Sequence, residues 1–83
     1  MEQNYSNPFN PTTMIKLNLP KTVYTKLIVY DIVGRVVEKL VDNILGAGNH
    51  LIKFDARSLS TGIYFYRIET SNFTSVRKLL LIK

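Results

Sequence analysis

Apolar residues recur at every second position along most of this chain, and nowhere at a helical spacing. Ile15, Leu17 and Leu19 alternate with Met14, Lys16 and Asn18, which predicts a strand over residues 13–19 with one face against a core. Pro20-Lys21 ends it. Over residues 23–32, Thr25, Leu27 and Val29 share one face, while Lys26, Ile28 and Tyr30 share the other. The turn that follows runs from Asp31 to Arg35, and Gly34 can take a positive φ there at little cost. In the third strand, residues 35–41, the strongest apolar positions are Val37 and Leu40. They stand three apart, so a bulge or an irregular end is expected. Asp42-Asn43 and Gly46-Ala47-Gly48-Asn49 bracket a loop, after which His50, Ile52 and Phe54 alternate with Leu51, Lys53 and Asp55 in a fourth strand.

Residues 55–62 read as a crossover with one buried anchor, Leu59, held by Asp55 accepting backbone N–H bonds. The chain is organised around what comes next. Residues 62–69 and 73–82 are two β-rich runs flanking Thr70-Ser71-Asn72, the signature of an antiparallel hairpin. Tyr64, Tyr66 and Ile68 face one way, and Ile63, Phe65, Arg67 and Glu69 the other. A strand apolar on both faces near Gly62 belongs in the middle of a sheet. The second run ends in Leu79-Leu80-Leu81-Ile82, followed by Lys83. Such a strand must be buried or engaged by a partner, because an exposed one invites edge pairing and aggregation.

Six to seven short strands, spaced roughly 8–12 residues apart, predict an all-β fold: a small antiparallel immunoglobulin-like β-sandwich. The spacing of Leu59, Gly62 and Tyr64 resembles the approach to the sixth strand of such domains, where a tyrosine hydroxyl pins the corner. The expected inward residues are Ile15, Leu17, Leu27, Val29, Val37, Ile52, Phe54, Tyr64, Tyr66 and Ile68. Ahead of the sandwich (residues 13–83), residues 1–12 form a lead-in rich in asparagine and proline. Pro8 and Pro11 exclude helix, and Tyr5 and Phe9 offer apolar anchors, so this segment is expected to pack on the domain. Met1 stands directly before a loop-like stretch, which suggests a start added to a piece of a longer chain.

At 83 residues the chain makes one small domain, which buries only about 60–65% of its unfolded surface. A hydrophobic content of 46% lets it fold if nearly every strand feeds one core. With no cysteine there is neither a disulfide framework nor a thiolate metal site, although this does not place the protein in the cytosol. No apolar run reaches the about 18–20 residues of a spanning helix, and the first residues lack the basic-then-apolar pattern of a secretory leader. Eleven Lys and Arg against six Asp and Glu give a net charge of +5. The cations are scattered singly and only Arg77-Lys78 are adjacent, which reads as solubilising charge on outer faces rather than a nucleic-acid patch.

Candidate chemistry is sparse. His50 is the only histidine, and in a strand beside Ile52 and Phe54 it reads as a half-buried packing residue. Asp31, Asp42 and Asp55 sit at turns and strand ends, where capping accounts for them. There is no glycine-rich phosphate loop, nucleophile elbow or carboxylate pair, so no catalytic residue, metal or cofactor is assigned and no enzyme is expected. Tyr64, Phe65, Tyr66 and Arg67 could imitate a base-stacking strand, but that fold needs two helices and none is readable. Asn4-Tyr5-Ser6 and Asn72-Phe73-Thr74 match the glycosylation sequon, a triplet common by chance.

Several stretches, in order, resemble one family, the C-terminal sorting domain of the bacterial type IX (Por) secretion system, type A. They are residues 3–13 with Asn7-Pro8-Phe9-Asn10-Pro11, residues 28–35 with Tyr30-Asp31 and Gly34-Arg35, Ala47-Gly48-Asn49-His50, Phe54-Asp55, residues 59–67 with Gly62-Ile63-Tyr64-Phe65-Tyr66-Arg67, and the basic-apolar ending. Ser6 stands where the family usually has proline. The resemblance implies an immunoglobulin-like domain, related to that of the flagellar hook-capping protein, at the end of a secreted cargo. It also implies export through an outer-membrane translocon by way of the periplasm, removal by a sortase-like peptidase, and cargo on the cell surface or released. Partners would then be the translocon, the peptidase and an N-terminal cargo domain, with no nucleic acid and no direct membrane insertion. Residues expected to meet a partner are Arg77, Lys78, Leu79, Leu80, Leu81, Ile82 and Lys83, and those expected to shape the fold are Pro8, Phe9, Pro11, Gly34, Asp55, Gly62 and Tyr64. The competing expectation is a passive immunoglobulin-like module, structural or carbohydrate-binding, appended to a secreted enzyme. An exposed aromatic platform would favour it.

Overall fold

One-sided burial turns the alternating sequence into strands. The computed structural model describes residues 4–5 and 12–82, with seven strands: β1 (Asn4–Tyr5), β2 (Thr12–Leu19), β3 (Val23–Tyr30), β4 (Val36–Leu45), β5 (Gly48–Asp55), β6 (Gly62–Thr70) and β7 (Thr74–Leu81). Pro8, Phe9, Pro11 and Lys83, singled out above, lie outside the described residues. In β2, Thr13, Ile15, Leu17 and Leu19 are buried, while Met14, Lys16 and Asn18 are exposed. Period-2 burial of this kind pins register, because a slip of one residue would turn the whole apolar set to water.

The strands make two sheets, one in the order β1-β7-β6-β3-β4 and the other β2-β5. Every pairing is antiparallel except β1 with β7, which is parallel over Asn4↔Leu79 and Tyr5↔Leu80. Strands β7, β6, β3 and β4 facing β2 and β5 reproduce the two-layer plan of immunoglobulin-like sandwiches. β6 lies between β7 and β3, in the middle of its sheet.

Between the sheets lies one core. It draws Ile15, Leu17 and Leu19 from β2, Leu27 and Val29 from β3, Val41 from β4, Phe54 from β5, Tyr64, Tyr66 and Ile68 from β6, and Leu79 and Leu81 from β7. Burying each such side chain is worth about 1.5–3 kcal/mol. Val37 and Ile52, expected inside, are only partly buried against this cluster. The crossover has Ala56 as its fully buried residue, and Leu59 is a half-buried anchor beside it.

Two boundaries differ from the expectation. β3 stops at Tyr30 because Asp31 gathers the next residues into a turn. The expected loop over 42–49 shrinks to Gly46-Ala47, since β4 runs on to Leu45 and β5 begins at Gly48. Tyr24 holds that extension by donating its hydroxyl to Asp42 Oδ1 at 2.6 Å, and Asn43 and Ile44 pair with Thr25 and Tyr24. Cross-strand bonds thus outweigh the turn preference of Asp42-Asn43. In β4 the register skips Leu40 and then Val37, so the two residues with the irregular spacing are the bulged ones.

Candidate docking surface

Two capped loops at one end of the sandwich set the ends of the central strands. In the β3–β4 turn, Asp31 Oδ1 accepts the N–H groups of Val33 (3.0 Å) and Arg35 (2.9 Å), and Oδ2 accepts Arg35 Nε at 2.9 Å. Gly34, at φ +90°, supplies the left-handed residue this turn needs. Bonding from the Arg35 backbone N–H, assisted by its guanidinium, holds the Asp31 carboxyl below the usual range. Asp55 starts the crossover likewise, accepting the Arg57 N–H at 3.1 Å and Arg57 Nη2 at 2.8 Å. Hydrogen bonds from the Arg57 side chain lower its pKa too.

Tyr64, 7% exposed, donates its hydroxyl to the carbonyl of Ser60 at 2.8 Å, the geometry of a tyrosine corner. Gly62 has no positive φ, and an added Cβ would meet only the Tyr64 ring, at 3.9 Å. Neither conformation nor space demands a glycine there. A cleft of about 420 Å³ opens between the two loops, lined by Asp31, Arg35, Ser58, Ser60, Thr61 and Tyr64 among others. Its Asp31 carboxylate is committed to the turn, and its tyrosine to the corner.

The terminal strand divides between core and surface. Leu79 (0%) and Leu81 (1%) are buried in the core, so neither can meet a partner without unfolding the sheet. Leu80 and Lys78 lie on the opposite, outward side of β7, Leu80 half-buried and Lys78 exposed. Arg77 alternates with Leu79 on the inward side, yet is exposed near the strand's start. Ile82 is 41% exposed. The backbone edge that an added strand would use at Leu79 and Leu80 already carries β1. Recognition by strand addition at that point would have to displace it.

The outward face is more coherent than the edge. Cross-strand register sets Lys78, Phe65, Tyr30 and Val36 in one row, and Val76, Arg67, Ile28 and Lys39 in the next. Arg67 stands among these neighbours with its guanidinium over the Tyr30 ring, 5.6 Å from the centroid. Nothing in the sequence alone marked this group. Phe65 and Arg67 were visible as outward residues of β6, but their companions on β3, β4 and β7 are fixed by register between distant segments. Tyr64 and Tyr66 point into the core. On this face Tyr30 lies under the Arg67 guanidinium, while Tyr24 is 48% exposed with its hydroxyl tied to Asp42.

His50 is half-buried, with Nε2 2.7 Å from the Gly46 carbonyl oxygen, closing the short β4–β5 connection. Among the described residues no three His, Cys, Asp or Glu side chains are grouped to hold a metal ion. Among the described residues no helix is long and apolar enough to cross a membrane.

Comparison with known families places residues 3–83 in the secretion system C-terminal sorting domain family, and the chain belongs to it. No curated protein and no solved structure matches the chain. The family is that of type IX secretion, so the domain is a C-terminal sorting signal and the protein that carries it is exported.

Proposed function

We propose that this domain is a passenger-independent address, read by the outer-membrane translocon through the outward face around β7 and β6. The cargo precedes it in the full chain. A sortase-like peptidase then removes the domain, and the cargo is attached to the cell surface or released. The domain binds and does not catalyse. The observation that carries this reading is the division of the terminal hairpin. Leu79, Leu81, Tyr64 and Tyr66 hold the core, while Lys78, Leu80, Phe65 and Arg67 face outward, where a partner can reach them. A rigid sheet face presents side chains at fixed spacing without ordering a loop on binding, which lowers the cost of recognition.

The test is export of a folded reporter carrying residues 1–83 at its C-terminus in a type IX-competent bacterium. The same strain lacking its outer-membrane translocon is the control. The fusion should reach the medium or cell surface only in the intact strain. A fusion that stays in the periplasm of both strains, while remaining folded, would contradict the reading.

A further inference from the structure

The outward face of the five-stranded sheet contains an arginine that stacks on Tyr30 and pairs at long range with Glu69, yet keeps one donor unmet. Arg67 Nε is fully buried and has no hydrogen-bond partner, and among the described residues it is the one buried side-chain polar atom in that condition. Glu69 forms an ion pair with Nη2 at 3.8 Å, longer than a hydrogen bond, and supplies no acceptor to Nε. The rest of the guanidinium reaches the surface, the side chain being 40% exposed. A buried donor without a partner carries a desolvation cost, and such exceptions need a reason.

A partner can reach the terminal nitrogens of this guanidinium, not the occluded Nε, and the surroundings indicate the partner's chemistry. On this face Lys26, Lys39, Arg67 and Lys78 stand against two carboxylates, Glu69 and Asp42. Asp42 is committed to Tyr24 and, at 3.8 Å, to Lys39. The cations do not cluster. Ile28 separates Lys39 from Arg67, and Phe65 and Tyr30 follow Lys78 across three strands, whereas Lys26 lies between the two carboxylates. A polyanion such as an acidic polysaccharide gains most from contiguous charge, and a sugar ring would seek the Tyr30 face that Arg67 covers. A protein segment that alternates carboxylate and apolar side chains fits both the spacing and the sign. A carboxylate brought end-on to the planar guanidinium can bind its two terminal nitrogens with two parallel N–H···O bonds.

We infer that the sheet face centred on Arg67 docks an acidic, partly apolar segment of the export machinery, with Arg67 pairing a partner carboxylate at the middle of the contact. This rests on the sorting reading and adds the chemistry of the partner. Arginines that become buried at the centre of a contact, ringed by apolar side chains, are where binding energy concentrates in protein interfaces.

The reporter fusion tests it with three variants whose melting temperatures are measured alongside. Arg67→Gln should lower export roughly tenfold, and Arg67→Lys, which keeps the charge but loses the fork, should fall between it and the parent. Lys16→Glu, on the exposed face of β2 in the other sheet, should export like the parent. In parallel, the 83-residue protein is titrated with a peptide of alternating Glu and Val, a heparin octasaccharide and phosphatidylglycerol vesicles. The Arg67 Nε–H resonance, with the amides of Ile28, Phe65 and Lys78, should shift saturably with the peptide. Parental export by Arg67→Gln overturns the inference while leaving the sorting reading intact. So does a titration in which only the saccharide or the vesicles move these resonances. Failure of the unmodified fusion to export instead overturns the sorting reading itself.

Discussion

Tyr64 shows how one side chain serves both core and topology. Its ring fills the space between the sheets, and its hydroxyl ties β6 back to the crossover at Ser60. Tyr64→Ala removes a large buried aromatic and should cost about 3–5 kcal/mol. Tyr64→Phe keeps the ring and loses one hydrogen bond, and should cost only about 0.5–1.5 kcal/mol. Urea melts of the two variants measure the difference, and an alanine variant as stable as the parent would show that the corner contributes nothing. The position of Tyr64 was legible in the sequence because a strand that buries one face leaves a period-2 trace. The role of Arg67 was not, since it depends on Tyr30 and Ile28 lying beside it, more than thirty residues earlier in the chain.

At the scale of elements, the turns carry the pH dependence. Asp31 and Asp55 each cap a loop, and the carboxyls of both lie below the ordinary aspartate range in the folded protein, as does that of Asp42 through its bond from Tyr24. A depressed folded-state pKa stabilises the fold above the unfolded value, and that contribution is lost as pH falls through the folded one. Thermal melts should therefore hold steady from pH 7 to about pH 5 and decline below about pH 4. Asp31→Asn should start lower and decline less steeply. A melting temperature that already falls between neutrality and about pH 5 would contradict this assignment. The turn at Asp31 to Arg35 was readable because Asp and Gly at those positions have local chemical reasons to turn. Residues 42–45 misled for the same reason. There Asp and Asn suggest a loop, but Tyr24 and Thr25 across the ladder keep them in β4. The pairing of β1 with β7 left no sequence trace, being two residues long and joining opposite ends of the chain.

At the scale of the whole molecule, the sandwich separates what holds it together from what it shows. Leu79 and its neighbour Lys78 stand at adjacent positions of one strand, the first with no exposure and the second on the outward face. If the domain is an address read from its surface, export and stability must come apart at this pair. Leu79→Ala should cost about 2–5 kcal/mol by leaving a cavity. Its export should fall only as far as the domain unfolds. Lys78→Glu, an exposed change, should alter stability by no more than about 0.5 kcal/mol. Measuring exported reporter against melting temperature for these two variants decides the matter most directly. The account predicts that Lys78→Glu loses export at an unchanged melting temperature, well below the line that Leu79→Ala and the parent define. Export that simply follows melting temperature for both variants would mean that β7 only supports the fold and that the address is not read there.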